Sequence, residues 1–317
     1  MDHVVWLDGL KSDDFPLSAL VAYGVLRVLS EERGLDRVRL VFKDARGRPV
    51  AGIQGVTEDE LILHLEEHLR QVPPFPQGVS GDDLKEALSS FQSLAQGGDK
   101  RASIFFPALY LPQPNGYLYT PLDTTKGMQG LLKILRWAYE VALRFSLKEV
   151  LCQVLFSGVL VYPGAVLPKV RNYKDVYRIG WHASQYRQWA QRARKPNKEK
   201  AIETVRIHPV AILLAWEALP LFVLFPSVRG PMGAGIGGLN GDRPSLLLPI
   251  PETPVALEEL RSLLFQSALF VMPSHSPWPS DVAIWLSERT ESVGTDGRYP
   301  VFLDAYPLPR GSSFVAK

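Results

Sequence analysis

The chain contains an almost uninterrupted apolar stretch at residues 207–226, which constrains the fold more than any other feature. Residues 150–167 are nearly as apolar. Each stretch approaches the ~20 residues that cross a bilayer as a helix. Each is also interrupted by polar side chains and prolines, among them Gln153, Pro163 and Glu217. A charged group is costly in lipid and is tolerated when it is paired inside a protein. We therefore expect two buried core elements and no interaction with a membrane.

Length and composition indicate a folded protein with a large core. The 317 residues are 46% apolar and 21% charged, which is typical of a globular chain and not of a disordered one. Cys152 is the only cysteine, so these residues form neither an internal disulfide nor a cysteine-based zinc ribbon. The first ten residues include Asp2 and Asp8 and do not resemble a secretory signal. The sequence therefore predicts a cytoplasmic protein.

The periodicity of apolar residues mixes helices with strands. Residues 16–34 predict a buried helix, and Thr57 with Glu60 forms a capping-box pattern before another helix. Alternation at 38–42, followed by a turn, predicts a hairpin. Strands and helices do not alternate strictly as βαβ units. We therefore predict an α+β fold with short antiparallel sheets, in one large domain or two closely packed domains.

Three regions follow from these patterns. We expect an N-terminal α/β region at 1–100, a central helical region with a basic aromatic block at 101–206, and a C-terminal α+β region with a Gly-rich loop at 207–317.

Within the central region the local signals are more detailed. Apolar runs predict strands at 103–111 and 116–122, and Thr124 or Thr125 is a candidate cap for a long helix at about 127–145. Ser146 and Glu149 form a second capping-box pattern, which predicts that a helix restarts there.

Positive charge is concentrated in residues 169–206, which we call the cationic segment. This segment contains 11 Lys and Arg against 3 Asp and Glu, a local net charge of +8. Because the whole chain carries +2, the remainder sums to −6. The basic residues that we assign to a nucleic-acid interface are Lys169, Arg171, Lys174, Arg178, Arg187, Arg192, Arg194, Lys195, Lys198 and Lys200.

Aromatic rings are interleaved with these cations. They are Tyr173, Tyr177, Trp181, Tyr186 and Trp189. Cations neutralise phosphates and rings stack on bases, so the pattern favours nucleic-acid binding. A solvated helix whose rings belong to the core is the alternative reading of the same pattern.

Two further groups join the predicted interface. Arg229 precedes a glycine-rich run in which Gly233 and Gly235 allow close approach of the backbone to a phosphate or a groove edge. Lys126 and Gln129 stand at the start of the long predicted helix, where donors and the helix dipole suit a phosphate, although a simple helix cap is the favoured explanation of this group. The run also fits G-x-G-x-x-G, but LNGDRPS follows it, which is a poor helix start for a dinucleotide site.

A metal-dependent hydrolase is the alternative of a different class. His64, Glu67 and His68 fit H-x-x-E-H, in which two imidazoles one helical turn apart share a metal. A third ligand would come from elsewhere, and Glu140 is a residue of the required kind. The alternative to a metal site is a structural role, in which both histidines border a buried row of leucines. A scaffold whose cationic segment binds an acidic partner is a third possibility. We predict no enzyme activity and no metal or other cofactor.

Three stretches resemble one protein family. LDGLKSDDFPLSALVAYGVLRVLSE resembles the start of the large subunits of class 1, type I CRISPR–Cas effector complexes of the Cascade type. PLDTTKGMQGLLKIL resembles their aspartate–small–Gly–x–Gln segment, which leads into a helix. HPVAILLAWEALPLFVLFPSVRG through LLLPIPETPVALEELRSLL resembles their late apolar helix, Gly-rich loop and strand–Pro–helix ending. The cationic segment and the last forty residues have no counterpart in the resemblance.

The resemblance implies a non-catalytic subunit in antiviral defence. Such a subunit contacts guide RNA and target DNA, reads the short flanking motif (the PAM) in duplex DNA, and contacts the backbone and small subunits of the complex, with a helicase–nuclease as a further partner. Base pairing with the guide supplies sequence choice, while protein reads shape and a few base edges. Many such subunits are longer and end in a helical bundle that this chain lacks. The resemblance therefore implies a reduced variant or a separate small subunit.

Overall fold

A computed structural model describes most of the chain. The described residues are 3–11, 15–44, 47–124, 130–162, 179, 181, 206–228, 230–239, 244–269, 279–294 and 297–308.

The N-terminal part consists of a small sheet that packs against a buried helix. Strands β1 (Val4–Lys11), β2 (Arg39–Asp44) and β3 (Pro49–Gln54) pair antiparallel in the order β1-β3-β2. Helix α1 (Leu17–Arg27) continues into a π-helical turn at Val28–Glu32. Every residue of α1 is buried. The helix and the hairpin predicted here are confirmed.

Three helices follow this sheet. They are α2 (Glu58–Gln71), α3 (Leu84–Gln96) and α4 (Lys100–Leu109). The predicted capping box is present at α2: Thr57 Oγ1 accepts from the backbone N–H of Glu60, and the Glu60 carboxylate accepts from Thr57 N at 2.8 Å.

The strand predicted at 103–111 is wrong over most of its length. Residues up to Leu109 belong to α4, and only then does β4 (Tyr110–Gln113) begin, paired with β5 (Gly116–Tyr119). The helix forms because Asp99 Oδ1 caps it, accepting from Ala102 N at 2.7 Å. Pro107 lies in the last turn.

Two more helices carry the central part of the core. They are α5 (Leu131–Ala142) and α6 (Leu147–Leu155). The predicted threonine cap for α5 is wrong, because the N-cap is Gly130. Ser146 does precede α6, but its side chain makes no capping hydrogen bond.

The apolar stretch is buried as predicted from residue 207 to residue 222, and its last residues include partly and fully exposed positions. Strand β6 (Val161–Tyr162) pairs antiparallel with β7 (Arg206–Ile207), and helix α7 (Pro209–Glu217) follows with a 3-10 turn at Leu219–Leu221. Helix α7 packs directly on α1. A Cβ placed on Gly24 would lie only 1.8 Å from Leu214 O, so only glycine permits this close approach.

The C-terminal part is a larger antiparallel sheet with one helix. The strands are β8 (Leu224–Ser227), β9 (Gly230–Gly233), β10 (Ile236–Gly237), β11 (Ser245–Pro251), β12 (Val282–Gly294), β13 (Gly297–Phe302) and β14 (Tyr306–Pro307). Their order is β13-β12-β11-β10-β9-β8, with β14 beside β12, and α8 (Leu257–Leu269) follows β11. Leu40 of β2 exchanges both backbone hydrogen bonds with Val255, which ties this part to the N-terminal sheet.

The architecture confirms the α+β prediction, with helices and short antiparallel sheets around shared apolar contacts. One continuous core cluster draws residues from all three predicted regions, for example Leu20, Leu135 and Leu214. Among the described residues, no helix has both the length and the apolar character needed to span a bilayer.

Candidate nucleic-acid interface

The residues predicted for this interface are mostly outside the described residues. This applies to Lys126, Gln129, Lys169, Arg171, Lys174, Arg178, Arg187, Arg192, Arg194, Lys195, Lys198, Lys200 and Arg229. Gly233 and Gly235 are described, as are the points where the cationic segment meets the rest of the protein.

The strand that precedes the cationic segment pairs with the strand at which the segment ends. Val161 of β6 pairs with Ile207 of β7, and Tyr162 pairs with Arg206. His208 N donates to Leu160 O at 2.8 Å and extends this pairing to the start of α7. The described strands on either side of residues 163–205 therefore lie next to each other.

Three residues of the cationic segment are described, Ile179, Trp181 and Arg206, and the first two are core residues. Ile179 and Trp181 have no solvent exposure. Trp181 Nε1 donates to Leu122 O at 2.8 Å. The expectation that Trp181 stacks on a base is therefore corrected: for this ring, the alternative of a core position is right. The other four rings lie outside the described residues.

The contact with Leu122 links two predicted parts of the interface. Leu122 stands four residues before Lys126, and Trp181 stands within the cationic segment. Arg289 of β12 donates to Asp123 O at 3.3 Å on the same turn. Thr124, the predicted helix cap, is buried next to them. Trp181 of the cationic segment and Arg289 of β12 thus both contact residues 122–123.

The glycine-rich run forms an antiparallel hairpin. Gly233 ends β9 and Gly235 lies between β9 and β10 with a φ of +65°. Both are buried. A Cβ on Gly235 would lie 2.6 Å from Leu264 Cδ2, and one on Gly233 would lie 3.0 Å from Ile236 Cδ1. Packing thus requires glycine at Gly235 and favours it at Gly233, and their contact with a nucleic acid stays a prediction. The hairpin has no strand-to-helix turn of the dinucleotide-binding kind.

The histidines of the hydrolase alternative belong to ion networks. His64 Nδ1 accepts from Arg33 Nε at 3.4 Å, and Arg33 also pairs with Glu67. His68 is 1% exposed, and its Nε2 lies 3.3 Å from Glu217 Oε1. Glu140 is exposed on α5. Within the described part of the chain, no three His, Cys, Asp or Glu side chains are grouped to hold a metal ion.

Glu217 is the centre of this buried network. Arg27 donates from Nη2 to the Glu217 carboxylate and from Nε to its backbone oxygen. Arg101 Nη2 donates to Glu217 Oε1 at 2.5 Å. Burial alone would raise the pKa of Glu217, but the cations of Arg101 and Arg27 hold that pKa well below its usual value. The sequence contained a signal for this network, because a carboxylate in an apolar helix requires a buried cationic partner.

Sequence reasoning missed the outer face of the N-terminal sheet. Trp6 and Val4 of β1 flank Gly52 of β3, since a Cβ there would lie 2.7 Å from both side chains. Lys43 Nζ lies 4.2 Å from the centroid of the Trp6 ring. Arg39 is on the same face because it pairs with Gln54, two residues from Gly52. Alternation of Arg39, Val41 and Lys43 along the strand was the available signal.

A groove of about 770 Å³ adjoins this face. The polar side chains that line it include His3, Arg37, Arg39, Gln54 and Glu60. Arg37 is 64% exposed and lies 3.4 Å from Glu60 Oε1. Arg39 Nη1 donates to the carbonyl oxygens of residues 36 and 38. Among the described side chains, no carboxylate lies within ion-pair distance of Arg39.

Searches of protein-family models, of curated proteins and of solved structures find no match to this chain. Its function is therefore inferred from the residues themselves.

Proposed function

We propose that this chain is a non-catalytic nucleic-acid-binding subunit of a guide-RNA-loaded CRISPR interference complex. Its cationic segment binds target DNA beside the flanking motif, and the subunit also contacts guide RNA and the backbone and small subunits. A helicase–nuclease acts downstream of this complex in the cytoplasm. The observation that carries the proposal is the net charge of +8 within residues 169–206, in a chain whose remainder sums to −6.

The charge asymmetry supports this function for a physical reason. Association of a polycation with DNA releases counterions, so a basic segment gains affinity that does not depend on sequence. An acidic remainder repels the same phosphates and orients the molecule with the segment towards DNA. Strand β7, at which the segment ends, is paired with β6, which precedes the segment in the sequence.

The anchoring of Trp181 is consistent with this role. With Trp181 bound to Leu122, the segment contacts the body between its two ends as well as at β6 and β7. Lys126 and Gln129 follow the same turn in the sequence. Two groups of predicted phosphate contacts thus belong to chain segments that meet.

Charge reversal in the cationic segment tests the proposal. The variant Arg192→Glu, Arg194→Glu, Lys195→Glu should bind duplex DNA more weakly. The slope of log affinity against log salt should fall by about 0.9 for each lost phosphate contact. Fluorescence anisotropy of a labelled duplex between about 50 and 200 mM salt measures both quantities.

A matched control carries the same charge change elsewhere. The variant Lys85→Glu, Lys100→Glu, Arg144→Glu changes three exposed cations of the described body. We expect it to retain most of the affinity and the salt slope. Equal losses in the two variants would mean that net charge alone drives binding, and unchanged affinity in the first would contradict the proposal.

A further inference from the structure

The outer face of the N-terminal sheet combines a ring with cations. Antiparallel sheets with one face on the core usually present polar side chains on the other. Here Trp6 lies on the solvent side of β1, partly exposed, while Val5 and Leu7 point into the core. A tryptophan on that side is unusual unless the ring is covered or binds something.

Gly52 makes room for the ring. It stands opposite Trp6 in the β1–β3 register, and a Cβ there would lie 2.7 Å from Trp6 Cε3 and 2.8 Å from Cζ3. The ring therefore packs against bare backbone at the middle of the sheet. A ring held in this way is preorganised, because little side-chain freedom remains to be lost on binding.

One cation lies over the ring, and two more line the adjoining groove. Lys43 lies over Trp6, and Arg39 with Arg37 lines the adjoining groove of about 770 Å³. The carboxylates that pair with these cations are Asp8, 3.4 Å from Lys43, and Glu60, 3.4 Å from Arg37. Both pairs are solvent-exposed, and such pairs contribute little, so a phosphate can replace either carboxylate.

We propose that this face is a second binding site, for single-stranded nucleic acid. A base takes the place of the Lys43 ammonium over the Trp6 ring, and the neighbouring phosphates contact Arg37 and Arg39. Unpaired bases expose their faces for such stacking, whereas the bases of a duplex are already stacked on each other. The charge is complementary, because Arg37, Arg39 and Lys43 outnumber Asp8 and Glu60. The site does not include the cationic segment, so it stands or fails independently of the proposed function.

Binding to labelled oligothymidylate and oligouridylate tests the site. Trp6→Leu keeps an apolar cover on the sheet and removes the ring, so affinity should fall about fivefold or more, as expected for one lost stacking contact. Arg37→Gln should weaken binding and lower the salt slope by about 0.7, as expected for one phosphate of a single strand. Comparing the two oligonucleotides shows whether RNA or DNA is preferred.

Control variants separate the effect of losing the Trp6 ring from the effect of losing stability. Arg70→Gln is matched to Arg37→Gln, because Arg70 is also an exposed arginine beside a glutamate, and its affinity should stay within twofold. Trp6→Phe retains a ring and should bind more tightly than Trp6→Leu. If Trp6→Leu unfolds at a lower urea concentration than the wild-type protein, its affinity no longer reports on the ring alone. The affinities of Trp6→Phe and Arg37→Gln then test the binding site.

Fluorescence gives an independent readout. The oligonucleotide should quench tryptophan emission in the wild-type protein and quench it less in Trp6→Phe. Absence of single-strand binding, or wild-type affinity in both Trp6→Leu and Arg37→Gln, would overturn the inference and favour a protein partner or a structural ring.

The two proposals have distinguishable failures. Loss of single-strand binding in Trp6→Leu with unchanged duplex binding in the cationic-segment variant supports the sheet face and contradicts the proposed function. The reverse pattern contradicts the sheet face alone.

Discussion

Glu217 is the residue on which the buried charges of this chain depend. It is 4% exposed, and its carboxylate accepts from Arg27, which has no exposure, and from Arg101. Burial alone would lower the pKa of Arg27, but Glu217, Glu32 and Glu31 raise it. Phe105 lies beneath both guanidinium groups and stacks on Trp216. Each charge in this cluster is therefore compensated by a neighbouring charge of opposite sign.

Glu217→Gln should destabilise the protein by about 3–5 kcal/mol, because buried Arg27 loses its buried carboxylate partner and keeps only the partly exposed Glu31 and Glu32. The free energy of unfolding from urea titration measures this loss. Glu66→Gln removes a carboxylate that pairs with Arg70 at 2.8 Å on the surface of α2, and should cost no more than about 1 kcal/mol. Equal costs would mean that the buried pair contributes no more than a surface pair.

At the scale of elements, the N-cap residue of helix α7 is a titratable histidine, His208. His208 is buried, its Nδ1 accepts from Val210 N at 3.1 Å, and burial lowers its pKa to about 3. The imidazole is therefore neutral in the folded state at pH values where the unfolded chain, with a pKa near 6.5, binds a proton. Stability from this difference is fully present above about pH 6.5 and is lost as the pH falls towards 3.

His208→Asn should flatten the dependence of stability on pH. Asparagine caps helices well and does not titrate in this range. Between about pH 6.5 and 4.5, the wild-type protein should lose up to about 1.4 kcal/mol per pH unit more than the variant. Urea unfolding at several pH values measures the two slopes. The difference at pH 8 gives the cost of the side chain itself, and parallel slopes would contradict a neutral buried imidazole.

Elements with a strong local signal were predictable, and others were not. The capping box at Thr57 and the alternation in β2 need only neighbouring residues, so both were found. The stretch at 103–111 is apolar and short, and such runs fit a strand or a helix equally well. Asp99 decides in favour of the helix through its cap. The start of α5 was misplaced because Gly130 packs against Asp82 O, where a Cβ would lie at 1.8 Å.

At the scale of the whole molecule, the cationic segment was visible in the sequence, since local charge requires no knowledge of the fold. The sheet face with Trp6 was not visible, because it depends on the register that places Gly52 opposite the ring and Arg39 opposite Gln54. Trp181 could not be told from the other rings, because its partner Leu122 is distant in sequence. The sequence pattern does not show which distant segments pair with each other.

The continuous core has a consequence for unfolding. Residues from the three regions predicted at 1–100, 101–206 and 207–317 pack in one cluster, and α1 and α7 are joined by the Gly24 contact and the Arg27–Glu217 pair. Separation of these regions would expose that pair and its apolar surroundings together. We therefore expect one cooperative transition in urea. Circular dichroism, tryptophan emission and hydrogen exchange of amides in α1 and β11 should give the same midpoint, and Glu217→Gln should shift every midpoint equally. Separate midpoints for α1 and β11 would show instead that the regions unfold as independent domains.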